Sequence, residues 1–551
     1  MTLHDLEAFD PRQATLDQVL ATRARTTGNQ VFLTHLPDNK RFTYAQIDDL
    51  TRRIGSGLHE AGIAPGAHVA VLMDNCSEQL LAIFGIIRSG RVAVPINSAA
   101  RGQLLVYLLT HADCRALIVE EALLPRFVEI ADQTPLIGNT YVVRVATRNI
   151  ENPRDVEQAR ARHRSDDFLA LLGAPPQPAH DAPVARFNDV GLLMYTSGTT
   201  GPSKAIMFSQ AQFIYWGADV AVHHEYVPDD IAYICLPMFH GNALLGATMG
   251  SLMANAAIAL APRFSASRFW SDVRRSGATV FNGIGSVMSF LWALPPSEDD
   301  RNHRVNRCHL APVPNFAPEF EARYGVKIMS AYALTDYCLG AAYNTRSDRA
   351  KLGSAGTVRA NVDLRIVDED DLPVPFAVPG EIVMRHRVPW AASLGYYKAP
   401  EATLDSRRNL WFHTGDRGWM DEDGYVWFRD RIKDSMRRRG ENISAFEVEE
   451  VVRSHPAVVE AAAYPVRADT SEDEVAVTVI VRPGVQWSPE DLIAHCSRNL
   501  AYFMVPRYVE VVDSMPTTPS QKIEKYRLRA NAERDLGALW DRERAGIRIE
   551  R

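Results

Sequence analysis

Between residues 43 and 119 the chain alternates two hydrophobic periods, and this restricts its fold more than any other feature of the sequence. Thr43-Tyr44-Ala45-Gln46 reads as a capping box, in which the Thr side chain accepts from the third helical N–H and Gln46 reaches back to the Thr43 backbone. Ile47, Leu50, Ile54 and Leu58 then recur at spacings of three and four, and Gly62 and Pro65 supply a stop. Val69 to Leu72 reads as a buried strand. Ser77 to Arg88 reads as a second helix with Leu80, Leu81, Phe84 and Ile87 on its apolar side, followed by the strand Val92-Ala93-Val94. A further helix leads to Ala116-Leu117-Ile118-Val119. Strands alternating with helices in this way call for right-handed crossovers and a mostly parallel sheet.

The 551 residues allow roughly three to four domain units. A proline-bearing stretch, 171 to 186, reads as a surface linker, since Pro lacks the N–H that a ladder needs. From about residue 430 the texture changes. Asp430-Arg431-Ile432-Lys433-Asp434 leads into the basic run Arg437-Arg438-Arg439, then into an alternating strand from Val475 to Val481 and a helix capped by Ser488. The expectation is an α/β protein with a large multi-layer N-terminal body of mostly parallel sheets, residues 1–430, and a small mobile α+β domain, residues 431–551.

Composition removes several function classes. With 46% hydrophobic and 23% charged residues, the chain is neither collagenous, coiled-coil nor wholly disordered. Sixty basic against 67 acidic residues give a net charge of −7, which argues against a nucleic-acid partner. Six cysteines without a C-x-x-C pair argue against structural zinc and a disulfide scaffold, and read as reduced thiols. The acidic N-terminus does not resemble a signal peptide, and no run reaches about 18 apolar residues. A soluble cytoplasmic protein without a membrane span is expected.

The chemistry concentrates in Tyr195-Thr196-Ser197-Gly198-Thr199-Thr200-Gly201-Pro202-Ser203-Lys204, directly after the apolar run Val190 to Met194. Hydroxyls, glycines and a lysine can wrap an anion, because glycines let backbone N–H groups approach and hydroxyls add donors. The spacing is not that of a Walker A loop, and the G-x-S-x-G nucleophile elbow is missed by one residue. The composition alone suits a phosphate loop or a polar turn.

These ten residues resemble the phosphate-binding signature of the acyl-adenylate-forming superfamily, and further segments resemble its motifs in order: Leu236-Pro237-Met238-Phe239-His240, Tyr332-Ala333-Leu334-Thr335-Asp336, Gly353-Ser354-Ala355-Gly356, Thr414-Gly415-Asp416, Arg431-x-Lys433-Asp434 with Gly440, Glu447 and Glu449, and Pro519-Ser520-Gln521-Lys522-Ile523. The resemblance spans roughly residues 40 to 530, with most likeness to acyl-CoA ligases and some to carnitine/crotonobetaine-CoA ligases. It implies that a small-molecule carboxylic acid attacks ATP to give an acyl-adenylate and pyrophosphate, and that coenzyme A then displaces AMP. Charge builds on phosphate oxygens in the first step, so cations aimed there should contribute most.

By the same resemblance, Lys522 bridges the carboxylate and the α-phosphate. Thr196, Ser197, Gly198, Thr199, Thr200, Gly201 and Lys204 bind the phosphates, Thr335 the α-phosphate, and Asp336 positions Mg²⁺. Tyr332 stacks on adenine, Asp416 holds the ribose hydroxyls, Arg431 contacts ribose or phosphate, and His240 borders the acyl pocket. Gly440 lets the pantetheine arm pass, and Lys433 sits at the hinge. Arg437, Arg438 and Arg439 form either a phosphate-attracting patch for coenzyme A or a solvated surface.

The acyl pocket would draw on Phe239, Asn242, Ala243, Gly283, Ile284, Tyr337, Cys338 and Leu339, a set without counter-charge that suits a mid-sized apolar, alicyclic or aromatic acid. Four departures stand out. Asp336 replaces Glu, Ala333 and Gln521 replace Gly, and the adenine loop survives only as His309-Leu310-Ala311-Pro312-Val313-Pro314. A stand-alone enzyme that loads a carrier-protein thiol and an inactive nucleotide-binding relative remain alternatives, and a homodimer is compatible with the sequence.

Overall fold

The computed structural model describes residues 11–549 apart from 151, 177–184, 197–202, 293, 312, 314–315, 432–435, 439–440, 444, 468–472, 483, 517–522 and 524. The alternating segment folds as its periodicity requires. Thr43 and Gln46 form both halves of the capping box at the head of the helix Tyr44–Glu60. The strand His68–Leu72 lies between Val92–Ile96 and Cys114–Glu120, parallel to both. Val190–Thr196 continues this seven-stranded sheet and pairs antiparallel with Lys204–Ser209.

A second sheet has nine strands. Six of them, Val31–His35, Ala257–Leu260, Ile231–Ile234, Val280–Ile284, Arg307–Ala311 and Lys327–Ala333, are successive parallel neighbours. The strand Leu339–Tyr343 then reverses direction beside Lys327–Ala333. The helices Ser77–Arg88 and Gln210–His223 are buried around nearly their whole circumference. They fill the layer between the two sheets, with Phe84 edge-on to Phe213 at 6.4 Å. This placement explains why neither helix has the clean polar face of a surface helix.

A third sheet, which the sequence pattern does not announce, is wholly antiparallel: Val362–Val367, Gly380–His386, Phe412–Met420 and Val426–Arg431. Its approach to the body depends on Gly356 (φ +87°), where any Cβ would fall about 2 Å from the Ala342 backbone.

Residues beyond Met436 build their own core around the sheet Val458–Arg467, Asp473–Val481, Tyr508–Val511 and Trp540–Asp541. Alternating side chains divide between its faces. Ala461, Ala463, Val475 and Val477 meet Met436, Ile443 and Val448 on one face, and Ala462, Tyr464 and Ala476 meet Ile523 and Leu528 on the other. Ser488 caps the helix Pro489–Asn499 through the Asp491 N–H, as its spacing predicts. All six cysteines are free and buried. Among the described residues, no helix is long and apolar enough to cross a membrane.

Candidate active site at the carboxyl ends of the parallel strands

Lys327–Ala333 is the last parallel strand of the nine-stranded sheet, and ligands of open α/β sheets lie beyond the carboxyl ends of such strands. Its end carries Tyr332, whose hydroxyl donates to Asp416 Oδ2 at 2.8 Å. Asp416 is only 3% exposed, within the strand Phe412–Met420, where its neighbours fix the backbone. Gly415 takes the left-handed conformation at φ +70°, and its N–H donates to Glu381. The Thr414 hydroxyl donates to the Ile382 carbonyl and accepts from the Asp416 N–H. Arg431 pairs with Asp416 in strand register, which puts two sequence-predicted residues side by side along the backbone.

The chain leaving Ala333 supplies Thr335 and Asp336, both half-buried. Thr196 Oγ1 donates to Asp336 Oδ1 at 3.3 Å, and the Tyr396 hydroxyl also bonds Asp336. Burial and the Asp336 charge push the Tyr396 phenol up, so it remains a donor. Lys204 Nζ stands 4.7 Å from the centre of the Tyr396 ring, which links the strand Lys204–Ser209 to the same cluster. Sequence reasoning did not single out Tyr396, because a lone aromatic outside the motifs carries no signal.

His240 and Gly241 reach this cluster from the other side, where a Cβ on Gly241 would touch Thr335 Oγ1 at 3.2 Å. The turn before them is held by Asn75, whose carboxamide accepts from Met238 N–H and donates to the Leu236 carbonyl. After them Asn242–Thr248 is a π-helix, a rare form that is concentrated at functional sites.

Among the described residues, side-chain hydrogen bonds at three places join the small domain to the body. His240 Nε2 meets Glu441 Oε2 at 2.5 Å. Burial opposes protonation of His240, but Glu441 outweighs it by charge and hydrogen bonding, so the imidazole titrates above its ordinary value. The Ser203 N–H donates to Glu447 Oε1 at 2.8 Å, and the Ser203 hydroxyl donates to the same oxygen. Arg101 Nη1 donates to the Ser497 carbonyl at 3.1 Å. Both glutamates lie more than 200 residues from their partners, so nothing local in the sequence announces either pairing.

Of the sequence-predicted site residues, Ser197, Gly198, Thr199, Thr200, Gly201, Gly440 and Lys522 lie outside the described residues, as does the Arg431 side chain. Four expectations are corrected. Arg438 is no coenzyme A contact, since it is 2% exposed, donates to the Phe503 and Val505 carbonyls and pairs with Glu474 at 2.7 Å. Tyr337 turns from the acyl side to stack on Phe412, and its hydroxyl accepts from the His386 N–H. Cys338 is buried in the core that Tyr337 and Phe412 share. His309, in the proposed adenine loop, stacks on His224 at 4.1 Å, and burial pushes its imidazole down to about 4.

Asp336 offers one carboxylate. Among the described residues no group of three or more His, Cys, Asp or Glu gathers as a metal cage. One carboxylate with substrate phosphates is a common donor set for Mg²⁺, so the residues fit that ion.

Residues 20–397 match the family model for AMP-binding enzymes, and residues 447–522 match the AMP-binding enzyme C-terminal domain. The crotonobetaine/carnitine–CoA ligase of Salmonella typhimurium is 27% identical over 495 residues, 89% of this chain and 93% of that one. The sulfoacetate–CoA ligase of Cupriavidus necator is 29% identical over 532 residues, 95% and 98% of the two chains. Among solved structures, o-succinylbenzoate CoA synthetase from Bacillus subtilis superposes with a TM-score of 0.77 at 22% identity, over 94% of this chain and 98% of that one. The chain therefore belongs to the AMP-binding enzyme family, on its acyl-CoA ligase branch and with likeness to the carnitine–CoA ligases.

Proposed function

We propose that the protein is an ATP-dependent, AMP-forming acyl-CoA ligase with a body of residues 1–430 and a lid of residues 431–551. The observation that carries this reading is the Tyr332–Asp416 pair, four residues along the chain from a carboxylate, Asp336, that is bonded by Thr196 and by Tyr396, over whose ring Lys204 lies. One end of this arrangement suits a nucleoside and the other its phosphates.

A carboxylate is a poor electrophile. Its oxygen therefore attacks the α-phosphorus of ATP, the bond to the bridging oxygen breaks, and pyrophosphate leaves. Asp416 accepts from both ribose hydroxyls, since an ionised carboxylate has acceptor sites beyond the one that Tyr332 uses. The Tyr332 ring, held by that bond, lies flat for adenine, while Thr335 donates to the α-phosphate. Lys204 and Lys522 meet the developing negative charge, where fixed cations contribute most. Asp336 would hold Mg²⁺, which when bound neutralises charge on the phosphate oxygens. In the second step the coenzyme A sulfur attacks the acyl carbon, AMP leaves with the electron pair of the broken C–O bond, and the thiol proton passes to solvent.

Lys522 adjoins Ile523 in sequence, and Ile523 packs on one face of the small sheet, whereas the paired strands Met436–Arg438 and Glu441–Ile443 pack on the other. A rotation of the lid therefore presents Lys522 in the first step and the hairpin with Gly440 in the second. Phe239, Ala243 and Gly283 suit a mid-sized acid with an apolar, alicyclic or aromatic tail. ATP and coenzyme A as substrates, with six buried free thiols, suit the cytoplasm.

A pyrophosphate-release screen over carboxylic acids, repeated with coenzyme A, tests the reading. Release that depends on one acid class, followed by thioester formation, is expected, and no acid-dependent release would overturn it. Acylation of a carrier protein in place of coenzyme A would redirect the acceptor. Lys522→Ala should abolish adenylate formation while pre-made acyl-adenylate still reacts with the thiol.

A further inference from the structure

Gly241 borders Thr335 on one side and a pair of carboxamides on the other. A Cβ on Gly241 would touch Thr335 Oγ1 at 3.2 Å. Around the point where a Cβ on Gly246 would stand, three polar atoms gather: Asn282 Nδ2 at 3.3 Å, the Gly241 carbonyl oxygen at 3.7 Å and Asn242 Oδ1 at 3.9 Å. Glycine at 246 leaves that point without a side chain. A second bond orients each carboxamide. Asn242 Nδ2 donates to the Gly283 carbonyl at 3.5 Å, so Oδ1 is the atom turned to the point. The Tyr226 hydroxyl donates to Asn282 Oδ1 at 3.2 Å, so Nδ2 is turned there. Asn282 is 4% exposed, and Asn242 Oδ1 is buried with no hydrogen-bond partner among the described residues. A buried acceptor left unpaired costs free energy, so its place beside a buried donor calls for an occupant.

We propose that Asn242 and Asn282 are specificity-determining residues that bind a hydroxyl group on the tail of the acid, so that the substrate is a hydroxylated carboxylic acid. The inference rests on the ligase reading and deepens it. A hydroxyl is one donor and one acceptor on a single atom. It donates to Asn242 Oδ1 and accepts from Asn282 Nδ2, whereas a methyl group or a ring C–H at the same place satisfies neither. The surroundings favour a neutral group. His309 is the register partner of Asn282 and stacks on His224, and burial lowers both imidazoles far enough to keep them uncharged at pH 7. Arg307, two residues before His309, is already paired with Asp230. A carboxylate or ammonium on the tail would meet two neutral imidazoles and a closed ion pair, while a hydroxyl meets its full complement.

The test is steady-state pyrophosphate release by the full-length chain over matched acids with and without a tail hydroxyl. Benzoate with its monohydroxy isomers and hexanoate with ω-hydroxyhexanoate come first, terephthalate serves as the doubly charged comparison, and the pairing continues in whichever acid class the wider screen favours. In the favoured class kcat/KM should be about a hundredfold higher for the hydroxy acid, the worth of two hydrogen bonds. Asn242→Leu and Asn282→Leu should each cut that ratio below about tenfold, and Gly246→Ala, which fills the point, should lower kcat/KM for the hydroxy acid. A merely structural role would lower both members of a pair together and leave the ratio intact. Melting curves report which variants are folded; if Asn282→Leu, which strips Tyr226 of its acceptor, is not, Asn242→Leu at its half-buried position decides the matter. Preference for the unsubstituted or the doubly charged acid, or a ratio that survives Asn242→Leu, would overturn the inference and leave the ligase reading in place. No acid-dependent release across the whole screen would overturn the ligase reading, and this inference with it.

Discussion

Tyr332 and Asp416 lie 84 residues apart, and Thr196 and Asp336 lie 140 apart, yet each pair joins elements of one interlocked body. Across the domain junction, His240 with Glu441 and Ser203 with Glu447 join surfaces that belong to separate cores. The body contacts set neutral hydroxyl donors against carboxylates and form part of the fold. At the junction, burial raises Glu447 to about 7, and Glu441 holds the His240 imidazole above its ordinary value. The contacts within the body and those across the domain junction thus differ in chemistry as well as in place, and that difference can be tested.

The largest effect is expected inside the body. Asp416→Ala removes the proposed ribose acceptor and leaves the Tyr332 hydroxyl without its carboxylate, so kcat/KM for ATP should fall at least about a hundredfold at two charge-assisted bonds. Steady-state pyrophosphate release reads this directly. Arg438→Ala breaks a buried pair within the small domain and should cost about 3 kcal/mol of stability, seen as a lower melting temperature. If it instead raised the KM for coenzyme A while stability held, the correction made above would fail. Tyr332→Phe deletes one donor to Asp416, so a loss of about tenfold in kcat/KM for ATP is expected, without change in the rate from pre-made acyl-adenylate.

The smallest effect lies at the junction. Glu447 titrates higher when docked than its ordinary value, so the docked state is favoured at low pH and loses that advantage as pH rises toward about 7. His240, raised by Glu441, adds docking stability below its ordinary range that is likewise lost as pH climbs through its raised value. Both therefore weaken docking on the alkaline side. Fluorophores on engineered surface thiols of the two domains should report a docked fraction that falls about threefold between pH 6 and 8. Glu447→Gln should flatten that profile. A profile unchanged by both Glu447→Gln and Glu441→Gln would count against titration at the junction.

Much of the body was legible in the sequence, for a local reason. The capping box at Thr43, the helix Ser77–Arg88 and the Ser488 cap are set within a few residues by hydrogen bonds and apolar period. The order of motifs announced Tyr332, Thr335, Asp336 and Asp416, and the structure brings them to one end of the sheet. Tertiary choice was not legible. Arg438 sits in a run of three arginines that reads as surface, yet neighbouring residues of a strand point to opposite sides, and only packing decides which is swallowed. Tyr337 follows a catalytic-looking motif but is claimed by the third sheet through Phe412. The two junction glutamates depend on how two separate cores meet, and no periodicity within either one encodes that.

The burial of the cysteines has a chemical consequence. An acyl-adenylate is an acylating agent, and any accessible thiolate near it would compete with coenzyme A for the acyl group. Burial pushes Cys235, Cys338 and Cys496 up to about 12, and Cys76, Cys114 and Cys308 also rise. The thiolate is the nucleophilic form, so these six sulfurs are both out of reach and unreactive. In the proposed reaction this burial would keep the acyl-adenylate from acylating the protein, and would leave the sulfur of coenzyme A as its acceptor.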